Sequence, residues 1–117
     1  MRTSVLLVDD NAGFRSRARR LLEADGFVVV AEAADGAAAL EAARRHRPAL
    51  VLLDVHLPDT SGLDVAERLT GEPASPAVVL TSTYDRSDFG GRIARCGAAG
   101  FVPKAELSGE ALSELLR

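Results

Sequence analysis

Ala49-Leu50-Val51-Leu52-Leu53-Asp54-Val55-His56-Leu57-Pro58-Asp59-Thr60-Ser61-Gly62 is the stretch on which the reading of the fold turns. Residues 49–53 are apolar without alternation, so a strand formed there buries both of its faces, as in a parallel sheet covered on each side. The run meets a carboxylate at Asp54, and Pro58 and Gly62 then punctuate a loop. Ser61, with Asp64 three residues on, resembles a capping box and opens a helix that turns Val65, Ala66 and Leu69 inward.

The same alternation extends to both sides. Upstream, Ser4–Val8 reads as a buried strand ending in Asp9-Asp10, and Phe14, Ala18, Leu21 and Leu22 follow on one helical face until Gly26 stops the helix. Phe27–Ala31 is a second strand and Asp35-Gly36 a turn. A second helix marked by Leu40 and Ala43 ends in Arg44-Arg45-His46-Arg47 before Pro48, basic residues that suit the negative end of a helix dipole. Downstream, Ala77–Thr81 is a fourth strand, and Phe89, Ile93 and Cys96 predict a fourth helix leaving between Gly97 and Gly100. Gly100–Val102 is a fifth strand, and Ser108 caps a last helix carrying Ala111, Leu112 and Leu115. Five strands alternating with five helices predict a doubly wound α/β fold with a parallel sheet. Folds of this kind bind ligands beyond the carboxyl ends of their strands.

Composition narrows the function. A chain of 117 residues, 47% hydrophobic, is one domain, residues 1–117, with one core. A net charge of −3 and a pI near 5.3 argue against a nucleic-acid surface, which needs a basic face. The single cysteine, Cys96, excludes a disulfide framework, and its place on an apolar stripe reads as a buried small hydrophobe. Neither an 18-residue apolar run nor a signal-peptide pattern is present, so a cytoplasmic protein without membrane contact is expected. His46 and His56 lack partners at metal-ligand spacing, and Arg15, Arg17, Arg19 and Arg20 read as the wet face of the first helix, with partner docking as the functional alternative.

Chemistry gathers at the carboxyl ends of the strands. Strand one ends in Asp9 and Asp10, strand three in Asp54 and strand four in Thr81-Ser82, and strand five is followed by Lys104. An Asp-Asp pair after a strand is by itself most often a helix cap, with Asn11 able to do similar work, and Asp54 alone could be a turn aspartate. Three carboxylates, a hydroxyl and an ammonium converging on one mouth are a different matter. Their repulsion calls for a divalent cation, and hard oxygen ligands at a solvated edge suit Mg2+. A carboxylate beside such a cation is equipped to take a phosphoryl group as an acyl phosphate.

The runs Val5-Leu6-Leu7-Val8-Asp9-Asp10-Asn11, Leu52–Gly62 and Gly97-Ala98-Ala99-Gly100-Phe101-Val102-Pro103-Lys104 resemble, in order and spacing, the three signature segments of response-regulator receiver domains of two-component phosphorelay systems. The likeness runs over residues 4–116. It implies the flavodoxin-like (βα)5 fold with strand order 2-1-3-4-5. It implies Asp54 as phosphoacceptor, and Mg2+ held by Asp10, Asp9, Asp54 and the backbone carbonyl of His56. Lys104 would pair with the phosphoryl group. Ser82, 22 positions before the lysine, would be the switch hydroxyl, and Phe101, three before it, the aromatic switch residue. Phe101 stands where many relatives have Tyr, so no hydroxyl contact is available there. Partners implied are a histidine kinase or phosphotransferase and a homodimer through helix 4, strand 5 and helix 5.

Catalysis is expected only of the chain's own phosphorylation and dephosphorylation. Many relatives follow the lysine with a cis proline; here Ala105 follows and Pro103 precedes, and a cis bond without proline costs ~3 kcal/mol, so none is expected. The Lys104-Ala105-Glu106-Leu107 ending resembles receivers that precede a helix-turn-helix output module, which would lie outside these residues. A stand-alone receiver or phosphorelay intermediate is the alternative. Three other classes fit poorly. A flavin carrier would not place Asp9-Asp10 against a phosphate, an aspartyl-nucleophile phosphatase places its nucleophile after strand one, and a pseudo-receiver lacks acidic-pocket residues that are all present here.

Overall fold

The computed structural model describes residues 2–71, 73–84 and 86–116. Five strands, β1 (Ser4–Val8), β2 (Val28–Ala33), β3 (Leu50–Asp54), β4 (Ala77–Ser82) and β5 (Gly100–Pro103), form one all-parallel sheet in the order β2-β1-β3-β4-β5. Between and after them lie α1 (Ala12–Ala24), α2 (Gly36–His46), α3 (Gly62–Thr70), α4 (Arg92–Arg95) and α5 (Gly109–Leu115). This is the doubly wound α/β fold expected from the alternation of strands and helices, with the flavodoxin-like strand order that the family resemblance implied.

Each strand serves two cores, which explains the missing alternation. Leu6, Val8, Val51, Leu53, Val78, Leu80 and Phe101 face α2 and α3. Val5, Leu7, Leu50, Leu52, Val79 and Val102 face α1 and α5. Leu6, Leu50, Val51, Leu53, Val79 and Leu80 are all fully buried. With side chains alternating along each strand, Asp9, Asp54 and Thr81 continue the α1/α5 face, whereas Ser82 shares the parity of Phe101 on the other.

The third strand differs from expectation by one residue at each end, and the fourth and fifth by one at their carboxyl ends; the larger departures have physical reasons. The second strand runs Val28–Ala33, two residues past the predicted end, because Val8 pairs with Ala33. Phe27 instead closes α1. Its amide donates to Leu22 O at 3.1 Å while Gly26, at φ +91°, donates to Glu23 O at 3.2 Å, a Schellman motif sealed by Phe27 and Leu22 in one apolar cluster. The fourth helix is not continuous from Phe89 to Cys96. Arg86–Phe89 forms a 3₁₀ turn, Gly90 sits at φ +58°, and only Arg92–Arg95 is α-helical. A left-handed residue cannot continue a right-handed helix, so Gly90 breaks it. Leu21, expected on the inner face of α1, is 36% exposed at its flank. Cys96 is buried as expected, its Sγ 3.1 Å from Ile93 O, and every described peptide bond is trans.

Ser61 does cap α3, but its Oγ accepts from Leu63 N at 3.1 Å, one position earlier than a capping box requires. Gly62 is dictated by closeness. Its amide donates to Val55 O at 2.6 Å, and a Cβ built there would fall on the Asp54 carbonyl oxygen and lie 2.9 Å from Val55 Cα. Backbone cannot yield as a side chain does. Gly62→Ala should therefore lower unfolding free energy by ~2–3 kcal/mol, an overpacking cost. Gly13→Ala, exposed in the first turn of α1, has the Asn11 capping oxygen at 3.2 Å and the Arg17 guanidinium at 3.4 Å as its nearest atoms, both on side chains that can yield, so it should change stability by no more than ~1 kcal/mol either way. Urea denaturation of both variants tests this, and equal stabilities would refute the close-approach reading.

Candidate functional site: an acidic pocket at the carboxyl edge

The pocket is built by topology. Since β1 and β3 are neighbours at the centre of the sheet, the residues at their carboxyl ends, Asp9-Asp10 and Asp54, meet at one edge. A carboxylate oxygen from each of Asp9, Asp10 and Asp54 lies within 4.8 Å of the others. Asp9 and Asp54 are buried at 1% and 4% exposure, while Asp10 is open to solvent.

These aspartates are free for chemistry because Asn11 is the cap of α1. Its Oδ1 accepts from Phe14 N at 2.9 Å, so neither Asp9 nor Asp10 is spent on that helix end. Asp9 Oδ1 instead accepts the Asn11 amide at 2.9 Å, bending the chain so that Asp10 faces the mouth. Asp54 Oδ1 accepts the His56 amide at 3.0 Å.

Lys104 supplies the ammonium expected of it. Its Nζ lies 2.6 Å from Asp9 Oδ2 and 3.2 Å from Asp54 Oδ2. The contact with Asp54 is aligned as a hydrogen bond, whereas that with Asp9 is close but poorly aligned, chiefly an ion pair. The ammonium also rests 4.6 Å above the centre of the Phe14 ring. Burial works to lower the Lys104 pKa, but the Asp9 and Asp54 carboxylates outweigh it and hold the ammonium above its usual value. Asp54 is pushed upward, first by burial and further by the Asp9 charge, against the pull of the His56 amide and of Lys104. One ammonium against three carboxylates leaves the pocket two negative charges in excess. An oxygen-only donor set at a solvated edge, with one oxygen of Asp9 lacking an aligned donor, fits a hard divalent cation such as Mg2+.

The remaining predicted residues fall around this pocket. Ser82 ends β4 fully buried, and its Oγ accepts from Tyr84 N at 3.0 Å. Thr81, the neighbour across from Asp54 in the β3–β4 register, is buried with its hydroxyl unpartnered. Phe101 is 8% exposed and 5.8 Å from the Phe89 ring, which is 5.8 Å from the His56 ring. Tyr84 meets His56 edge-on at 5.2 Å. His46 lies exposed in the last turn of α2, away from the pocket.

Sequence reasoning missed two contributors. Asp59 accepts from Gly36 N at 2.7 Å and Ala37 N at 3.0 Å. Those amide bonds hold its carboxyl below the usual range and fasten the loop after Asp54 onto the start of α2. The other is the arginine row of α1. Arg15 and Arg19 are not simply wet, since each guanidinium binds one oxygen of Glu32 on β2 at 2.9 Å. The Asp59–Gly36 pair spans 23 residues and the Arg15–Glu32 pair 17, separations at which no local pattern signals contact.

The sequence profile described as the response regulator receiver domain matches residues 5–117. The chain is 40% identical over 114 residues to a provisionally named transcriptional regulator of Pseudomonas aeruginosa, covering 97% of this chain and 53% of that protein. It is 35% identical over 100 residues to the transcriptional regulatory protein PdtaR of Mycobacterium tuberculosis, covering 86% and 48%. Among solved structures it is similar to a LuxR-family two-component response regulator from Aurantimonas sp. SI85-9A1. The TM-score is 0.87 at 29% identity, with 99% of this chain and 86% of that one covered. The chain thus spans about half the length of these two curated relatives. No helix among the described residues is long and apolar enough to cross a membrane. With nearly its whole length matched and the acidic edge assembled, this chain belongs to the response regulator receiver domain family of two-component systems.

Proposed function

We propose that this domain is a phosphorylation switch in which Asp54 accepts a phosphoryl group from a histidine kinase or phosphotransferase. The observation that carries this reading is one buried carboxylate, Asp54, within 4.8 Å of two others and 3.2 Å from an ammonium at the carboxyl edge of the sheet. In the step, an Asp54 carboxylate oxygen attacks phosphorus, the bond from phosphorus to the donor's imidazole nitrogen breaks, and the donor leaves with that electron pair and takes up a proton. Asp54 must be ionised to attack. The His56 amide and the Lys104 ammonium favour that form against its burial. Asp10, Asp9, Asp54 and the His56 carbonyl would hold Mg2+, which when bound neutralises charge on the transferring group. Lys104, already shared between Asp9 and Asp54, is within reach of the incoming phosphoryl oxygens.

The phosphoryl group adds roughly 1.5 to 2 negative charges beside Ser82 and Lys104. Ser82 would turn from its bond with the Tyr84 amide toward the new oxygens, drawing the loop after β4 inward. Ser82 and Phe101 share one face of the sheet, so Phe101 would fill the space left. The readout is the face of α4, β5 and α5, the surface a second copy would use to form a homodimer. Gly90 and a single-turn α4 support a pliable element there. The output is a further module controlling transcription, supported by relatives that carry about twice this length and by their regulatory names. This domain itself would touch neither nucleic acid nor membrane and would work in the cytoplasm, catalysing only its own phosphorylation and dephosphorylation.

With Mg2+ and acetyl phosphate the protein should gain one hydroxylamine-labile phosphoryl group, and Asp54→Ala should gain none. Undiminished labelling of that variant, or labelling indifferent to chelation of Mg2+, contradicts the assignment. Beryllofluoride should alter amide exchange mainly within residues 82–107. Ser82→Ala should abolish that change while remaining phosphorylatable, and a change surviving intact in Ser82→Ala would remove Ser82 from the switch.

The metal-free protein should also show Asp54 in its pH dependence. Because its folded pKa is raised, Asp54 holds its proton more tightly folded than unfolded. Its stabilising contribution is complete below the unfolded value of about 3.9 and is lost as pH rises through the folded value. Asp54→Asn has no such loss. In chelator, its melting temperature relative to wild type should climb across that window and level off above it. A difference independent of pH would show that ionising Asp54 carries no penalty.

A further inference from the structure

Resting on the receiver reading, we propose that Arg15 is a positioning residue for the cation site, and that Glu32 holds it in place by bridging it to Arg19. Arg15 Nη1 donates to the backbone carbonyl of Asp9 at 2.6 Å, and Arg15 Nε to Glu32 Oε1 at 2.9 Å. Arg19 Nε takes the other oxygen of Glu32, also at 2.9 Å. Helix geometry explains the reach. Side chains on α1 lean toward its N-terminus, and residues four apart lie on one stripe. Arg15 therefore bends back over the Asp9–Asn11 loop, with Arg19 one turn behind it. Arg17 and Arg20 are exposed and have no part in this cluster.

The consequence lies in the peptide that Arg15 grips. The Asp9 carbonyl belongs to the unit joining Asp9 to Asp10, so holding that oxygen fixes the plane from which Asp10 departs. The Asp9 amide donates to Ala33 O at 3.0 Å, and Glu32 is the neighbour of Ala33 on β2. Both backbone groups of Asp9 are thereby tied to one strand, directly through the amide and by way of Arg15 and Glu32 through the carbonyl. Arg15 is only partly exposed, at 18% of its side chain, and its two bonds point in different directions from one rigid plane. Without it, the peptide is free to turn and Asp10 to swing away from Asp9 and Asp54.

Electrostatics and positioning predict opposite signs, which makes the inference testable. Arg15 is a cation beside a cation site, so if charge were its only contribution, Arg15→Ala would bind Mg2+ more tightly. Positioning predicts weaker binding, about tenfold, as for other residues that orient metal ligands. Titration of the folded chain with Mg2+ well below its melting temperature should show that loss in Arg15→Ala. Arg15→Lys should also be weakened, because one ammonium keeps the charge but cannot reproduce the fork. Arg20→Ala should match wild type or exceed it, and Arg19→Ala, which loosens Arg15 only through Glu32, should be weakened less than Arg15→Ala. In metal-free protein, the Asn11 amide should exchange faster in Arg15→Ala than in Arg20→Ala. Unchanged or tighter Mg2+ binding in both Arg15 variants overturns the inference while leaving the receiver reading standing. A wild-type chain that neither binds Mg2+ nor is labelled at Asp54 overturns both.

Discussion

The ion pairs of Lys104 with Asp9 and Asp54 are the contacts around which the rest of the molecule is arranged. Two carboxylates at 1% and 4% exposure cannot remain charged without a partner, and one ammonium from the far end of β5 serves both. This requires β1 and β3 side by side with β5 within reach beyond β4, which the order β2-β1-β3-β4-β5 provides. It also requires helix ends that do not consume the aspartates. Asn11 and Asp35 cap α1 and α2, and Asp59 adds bonds at the start of α2. The charge imbalance that survives is what fits this edge to a divalent cation, because a pocket balanced by its own lysine would have no use for one.

Much of this was legible in the order of residues. Ser4–Val8 reads as β1 to the residue, since the apolar run Val5–Val8, too short for a helix, stops at Asp9. The convergence of Asp9, Asp10, Asp54 and Lys104 follows from the rule that parallel strands end at one edge, and all four meet there. Legibility stopped where a residue's role depends on a distant partner. Arg15 and Arg19 show only a polar face in one dimension, and Glu32 on an edge strand turns them inward. Asp59 looks like turn chemistry until α2 arrives above it. Phe27 has strand propensity, yet the Schellman turn at Gly26 claims its amide first. The stripe Phe89, Ile93, Cys96 is real, and Phe89 packs against the core that contains the other two, but Gly90 interrupts the helix that the stripe implied.

The weak helix is informative beside the strong pocket. The edge around Asp9 and Asp54 is overdetermined, with backbone amides, a lysine and the two-arginine cluster all fixing it. Among the described residues from Ser82 to Gly97 there are one turn of α-helix and two glycines at positive φ. A rigid chemical site joined to a loosely built neighbour is the arrangement expected when a small charge change must move a surface. The rings of His56, Phe89 and Phe101 form a continuous chain between them.

The excess negative charge of the pocket is most directly tested by melting the wild-type chain against Mg2+ at constant ionic strength, beside Asp10→Asn. A cation that binds only the folded pocket raises stability with its concentration, by ~2.7 kcal/mol at a hundred times its dissociation constant. The wild type should follow that single-site curve, and Asp10→Asn should need markedly more Mg2+ for the same shift. A melting temperature that ignores Mg2+, or that rises equally in both proteins, would contradict the claim that three carboxylates against one lysine make this edge a cation site.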